Sequence, residues 1–431
     1  VARSDSAGDA CAEYVSDLED GHRLAWLDRK TDRMKIELPN PDGEPIWLED
    51  GLLSREAEPT GAEPVRVAYA AAHIILKDDA TQRSTGAAGS SSADAIEMVD
   101  WDQTMAFRQH LSSHGFGIAE AMDTAQRFEL GWPAARRLIE QCGELDLDTG
   151  FIAGAGADQC GEVSDPTTLI DAVVEQVHII QQAGGIAIIL PMPWLCRWGC
   201  DEQQYVSIYR SIIEQSNGPV LLHWLGPMFL AELAGYFPGT SLDQILSIDV
   251  DKVRGVKMSM LDHDLEIEVR QRCRERGQIV LTGDDLHFCD LIAGDGKIPC
   301  QSVAIGDRQI PDGDFSHALL GVLDGVAVPA GRALRHLAAG DLAGYRRWMQ
   351  PCEEYGQRVF EAPTHLYKTG LAFTAWLNGH QNQPMLLHRI DLERDLDHLL
   401  DVARLASRAG AIVDAGMAAE RIELMMAGVH R

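Results

Sequence analysis

Between residues 64 and 330 short apolar runs alternate with longer stretches of helical periodicity, and this alternation limits the fold more than any other feature. Parallel strands need a crossover between each pair, usually a helix, so the repetition points to an α/β domain with a parallel sheet. Strands are read over residues 65–76, 115–124, 149–155, 185–190, 219–224, 253–259, 278–285 and 321–328. Helices are read over 101–114, 133–142, 166–183, 202–215 and 262–276, with more helix through the last hundred residues. Eight strands match a (β/α)8 barrel, the fold predicted here. The alternative is a doubly wound open sheet, whose G-x-G-x-x-G after the first strand is absent. Gly154-Ala155-Gly156-Ala157 contains only a G-x-G, which a tight strand-to-helix turn explains equally well.

The flanks read differently. Residues 1–63 form an N-terminal β extension, with short strands over 24–28, 34–38 and 46–48 broken by Pro39, Pro41, Gly43 and Pro45. It is expected to cap the larger domain. Residues 64–330 are assigned to the barrel and 331–431 to helices packed on it. Residues 79–94 are small and polar, and read as a loop that could close over the mouth.

Lys and Arg total 37 against 66 Asp and Glu, a formal charge of −29. Such a surface repels phosphate backbones and anionic lipids, so neither nucleic acid nor membrane is expected as a partner. No apolar run approaches the roughly 20 residues of a membrane span, and Val1-Ala2-Arg3-Ser4-Asp5 lacks a signal peptide's apolar core. Nine scattered Cys fit a reducing cytosol better than a disulfide framework. Cys196-x-x-x-Cys200 has no second half-site and reads as incidental thiols rather than structural zinc.

In a barrel, groups at the strands' carboxyl ends converge on one mouth. Here those groups are His73, Glu120, Asp123, Thr124, Trp194, His223, Lys257, Asp284 and Asp285. Lys257 is the most informative. A free lysine has a pKa of about 10.4, so at pH 7 only on the order of one in 2,500 is neutral. Burial frees the lone pair, and a neutral amine can attack a ketone or aldehyde to give an iminium, an electron sink for carbon–carbon bond cleavage. The plainer reading is a lysine that reaches solvent or pairs with Asp284.

Several segments carry a family likeness. Val253-Arg254-Gly255-Val256-Lys257 resembles the G-[IV]-K strand of the dihydrodipicolinate synthase/N-acetylneuraminate lyase superfamily. Gly283-Asp284-Asp285 resembles its G-D-D, Pro219-Val220-Leu221-Leu222-His223 its P-x-x-L-Y strand, and residues 368–379 its C-terminal helix. Met122-Asp123-Thr124-Ala125-Gln126 lies where that family has G-T-T-G-E. The likeness spans residues 64–410 and extends to the branch labelled dihydrodipicolinate synthase family protein. It implies a barrel and a Schiff base on Lys257. Three departures stand out: His223 replaces the proton-relaying tyrosine, Asp123 replaces the first threonine, and Pro191-Met192-Pro193-Trp194 replaces P-Y-Y. A carboxylate at Asp123 would repel a pyruvate-like carboxylate, so a neutral, hydroxyl-rich keto-sugar or related 2-oxo compound fits better.

The expectation is therefore a cytosolic lysine-imine lyase or aldolase with a small-molecule carbonyl substrate, no cofactor and no metal. Lys257 is the nucleophile and His223, with a reference pKa of about 6.5, the proton shuttle. Asp123 and Asp284 assist, while Thr124, Glu120, Trp194, His73 and Asp285 bind substrate. Self-association through the outer helices is expected. Two other readings stay open. One is a divalent-metal sugar isomerase or aldolase using His73, Glu120, Asp123, His223 and Asp284, unsupported by any compact ligand motif. The other is a barrel that only binds a ligand.

Overall fold

Eight parallel strands close into a barrel in the computed structural model, which describes residues 12–17, 24–28, 33–38, 45–49, 59–79 and 92–428. Four antiparallel strands come first: β1 (Ala12–Asp17), β2 (Leu24–Asp28), β3 (Arg33–Leu38) and β4 (Ile46–Glu49). The wall then runs β5 (Ala68–Ala71), β6 (Gly117–Glu120), β7 (Phe151–Ala155), β8 (Ile186–Ile189), β9 (Val220–Leu225), β10 (Val253–Ser259) and β11 (Ile279–Thr282). A hairpin, β12 (Gln301–Ile305) and β13 (Arg308–Asp312), precedes the last wall strand, β14 (His317–Leu320), which pairs back to β5.

The period of two along each strand decides what faces the interior. On β10, Val256 and Met258 pack into the helical layer while Lys257 and Ser259 face inward. On β9, Val220 and Leu222 face the helices and His223 faces in. Lys257 is the register partner of His223 on one side and of Leu281 on the other. Below the mouth, Tyr69, Ile152, Leu221, Leu281 and Leu319 fill the interior, and Ile305 and Ile310 of the hairpin join that cluster. Arg308 donates to the Thr149 carbonyl just ahead of β7, which places the hairpin as a plug at the amino-terminal end. A barrel plugged below has one open end, the one where the strands finish.

Helix starts explain part of the acidic excess. Asp100, Asp165, Asp201, Asp262, Asp341, Asp395 and Asp414 each accept a first-turn backbone N–H, a contact that stabilises a helix by about 1 kcal/mol. Among the described residues no helix is long and apolar enough to cross a membrane.

Some expectations need correction. The eighth strand is His317–Leu320, not 321–328; that apolar run forms a 3-10 turn at Val322–Asp324 and opens the helix Ala327–Ala338. It is buried on all sides, and a short apolar run has no periodicity to separate buried strand from buried helix. Among the described residues the N-terminal sheet meets mainly the C-terminal helices. Its apolar face, Ile36, Leu38, Ile46 and Leu48, packs on the helices Leu396–Ala409 and Ala415–Met426, and the Glu49 N–H donates to Ser407 Oγ at 2.8 Å. The loop read over 79–94 lies mostly outside the described residues, and its end belongs to the helix Ser92–Met98.

Candidate active site

A cavity of about 430 Å³ occupies the carboxyl end of the barrel. Lys257 reaches it from β10, flanked by His223 and by Gly283 just past β11. The glycine is required: a Cβ there would lie 2.2 Å from Ser259 Oγ, 2.6 Å from Lys257 Cε and 2.8 Å from the Met258 carbonyl. Gly255, two residues before Lys257, has the same need, since a Cβ would meet the Ile279 carbonyl at 2.0 Å.

Lys257 is 9% exposed. Burial lowers its pKa to about 8, opposed by the charges of Asp285 and Asp123. Among the described residues its nitrogen has no hydrogen bond or ion pair, so it stays available to the cavity. Asp285 is buried beside it and accepts from the Val322 N–H at 2.8 Å. Burial raises its carboxyl to about 7, against that hydrogen bond and the Lys257 charge. Both groups are thus pushed toward their neutral forms.

His223 departs from expectation. Its Nε2 pairs with Ser259 Oγ at 3.2 Å, and its buried Nδ1 has no partner. Burial first, then the Lys257 charge, lowers its pKa well below the usual value. A neutral ring cannot be the imidazolium acid that the reference pKa suggested. Asp123 and Thr124 do reach the cavity, and both meet Tyr367 from the C-terminal helix Tyr367–Leu377. Tyr367 OH donates to Asp123 Oδ2 at 3.0 Å and lies 2.9 Å from Thr124 Oγ1. Its one proton is committed to the carboxylate, so Thr124 is the donor in the second bond. Lys368 Nζ holds Asp123 Oδ1 at 2.9 Å. Burial raises the Tyr367 pKa and keeps the phenol protonated. Trp194 lines the cavity.

Three expected site residues lie elsewhere. Glu120 sits one position past inward-facing Ala119, so it points into the helical layer, where Arg108 holds it at 2.6 and 2.9 Å. His73 bonds Asp324 at 2.8 Å and Gln381 at 3.0 Å. Asp284 accepts from the N–H groups of Leu286 and His287 at 2.9 and 3.1 Å and pairs with the His287 ring at 2.9 Å. The metal reading loses three of its five ligands for the same reason, since only Asp123 and His223 line the cavity, and among the described residues no three His, Cys, Asp or Glu gather as a ligand group. Sequence reasoning missed Ser259, Tyr367 and Lys368. Ser259 was within reach of it, because a residue two past Lys257 on one strand shares its face.

Fold and cavity together define a (β/α)8 barrel with a buried lysine at the mouth of its sixth strand. The chain belongs to the family described as "Protein of unknown function (DUF993)", which it matches over residues 36–429. No curated protein matches it. Dihydrodipicolinate synthase from Aquifex aeolicus superposes with a TM-score of 0.56 at 12% identity, covering 79% of this chain and 97% of that one. YagE from E. coli K12, a prophage protein of the dihydrodipicolinic acid synthase family in complex with pyruvate, gives 0.55 at 12% identity over 85% and 99%. CdNal from Clostridium difficile in complex with mannosamine gives 0.51 at 13% over 78% and 96%. At these identities the likeness is one of fold.

Proposed function

We propose that the protein is a class I lyase or aldolase that cleaves or forms a carbon–carbon bond beside a carbonyl, with Lys257 as nucleophile. The observation that carries this reading is an unpaired, buried lysine nitrogen at the open end of a barrel, facing a cavity of about 430 Å³. The neutral amine attacks the carbonyl carbon; one N–H proton passes through Asp285 to the departing oxygen and the Asp285 carboxyl supplies the second, so that water leaves and an iminium stands beside a carboxylate. The proton relay assigned to His223 from sequence passes instead to Thr124, Tyr367 and Asp123. The direction of their hydrogen bonds supports it: Thr124 donates to Tyr367 and Tyr367 to Asp123, which leaves Thr124 Oγ1 free to accept from a substrate hydroxyl. Asp123, half-exposed, is the outlet to solvent. His223, neutral and with a free Nδ1, contributes a hydrogen bond rather than a charge.

Borohydride reduction in the presence of ketones, read by intact mass and peptide mapping, tests the reading. A reduced adduct on Lys257, absent in Lys257→Ala, is expected. Tyr367→Phe is expected to keep the adduct and to lose turnover by on the order of 10²-fold. Equal turnover by wild type and Lys257→Ala would discard the mechanism.

A further inference from the structure

We infer that the carbonyl compound taken by this cavity is uncharged and carries an aryl or branched alkyl group beyond the reacting carbons, as in a β-hydroxy ketone whose cleavage releases an apolar aldehyde. The inference rests on the Lys257 chemistry proposed above and adds the class of substrate.

The cavity has two unlike sides. Its inner side carries the groups already described. Apolar side chains line the rest of it, Phe128, Trp194, Phe229, Leu230 and Leu233 among them. Phe128 is 61% exposed and Leu230 39%, so large apolar surface lies bare at the rim where a ligand would cover it. Removing such surface from water favours binding of an apolar group. A polyol against the same wall would bury hydroxyls with few partners, which is costly. The hydroxyl-rich sugar expected from Asp123 loses part of its support, because Tyr367 and Lys368 already occupy one acceptor position on each carboxylate oxygen.

Charge excludes a second carboxylate on the ligand. The cations near the cavity are committed: Arg127 to Asp158 at 2.7 Å, Arg197 to Glu232 at 2.5 Å and Lys368 to Asp123. Lys257 itself is consumed in the imine. Asp123 and Asp158 line the space already paired with those cations, and Asp285 is pushed toward its neutral form, so these groups leave no free positive charge for a ligand carboxylate.

The chemistry closes without an added oxidant or reductant. Lys257 Nζ bonds to the ketone carbon and the carbonyl oxygen leaves as water. The bond between the α and β carbons breaks, its electron pair going to the iminium, and the β-hydroxyl proton passes to Thr124 as Thr124 hands its own to Tyr367 and Tyr367 its own to Asp123. The aldehyde departs, the α carbon takes a proton, and water releases the remaining ketone.

The test uses the full chain with three probes: 4-hydroxy-4-phenylbutan-2-one, its carboxylated counterpart 4-hydroxy-2-oxo-4-phenylbutanoate, and fructose. Aldehyde release and borohydride-trapped Lys257 adduct are both measured. The neutral aryl ketone is expected to lead in kcat/KM by about tenfold or more, and Phe128→Ser and Leu230→Ser to lower its value by about tenfold each. If the acid or fructose matches or exceeds it while Lys257 adducts form, the substrate class is overturned and the Schiff-base reading stands. If none of the three gives a Lys257 adduct, both fall.

Discussion

The neutral fraction of Lys257 should set how fast it reacts, and that fraction can be read across pH. With its pKa at about 8, about one molecule in ten carries a free amine at pH 7, against about one in 2,500 for an unperturbed lysine, a gain of about 200-fold. Reactivity should therefore rise about tenfold per unit up to pH 8 and flatten above it. Asp285 opposes the lowering, so Asp285→Asn should shift the midpoint to lower pH and raise reactivity at pH 7. The assay is a brief pulse of acetic anhydride at pH 6 to 10 with Nα-acetyl-lysine as internal standard, the Lys257 peptide being quantified by mass spectrometry. A profile that climbs with the standard through pH 10 would refute the reasoning, as would a midpoint that moves upward in Asp285→Asn.

Gly283→Ala puts a methyl group against Lys257 Cε, Ser259 Oγ and a backbone carbonyl that cannot move aside; it should destabilise the fold by about 1–3 kcal/mol and cut adduct formation at least tenfold, measured by thermal melts and trapping. Glu266 is buried against Thr282 and Ser316 at 3.0 and 2.7 Å, and burial raises its carboxyl to about 8. The folded chain keeps a proton there that the unfolded chain releases near 4.5, so stability falls as pH climbs from 4.5 to 8, by an amount on the order of several kcal/mol. Glu266→Gln should be nearly neutral at pH 4.5 and raise Tm progressively toward pH 8; an equal effect at both ends would refute the assignment.

What could be read from the chain follows from which rules are local. Lys257 was legible because a period of two and a strand ending in a polar group are properties of seven consecutive residues. The hairpin at β12 and β13 was legible too, since Gly306-Asp307 is a two-residue turn between pairing runs, and it was overlooked inside what looked like a long crossover. Asp284 and Asp285 were not separable. They are adjacent carboxylates just past the end of β11, and only the path of the chain beyond Gly283 decides that one caps a turn and the other faces the cavity. Glu120 looked like a mouth residue until Arg108, on the crossover helix before β6, was seen to hold it. Tyr367 enters from beyond the barrel altogether, and the pKa of His223 depends on a neighbour supplied by strand register.

The pairing of Lys257 with Asp285 has a further physical consequence for the proposed reaction. An environment that disfavours an ammonium also disfavours the iminium that replaces it, and because a lysine iminium keeps one N–H, burial draws it toward the neutral imine, a weaker electron sink. A fixed, ionised counterion would solve this for the intermediate, yet it would hold the resting lysine protonated and unreactive. A carboxyl poised at about 7 beside an amine at about 8 meets both demands. It can stay neutral when the amine is neutral, and the cation formed at Lys257 then draws it to ionise, releasing the proton that the departing water requires. The same low-dielectric burial that perturbs each group alone is what makes the two ionise in response to each other.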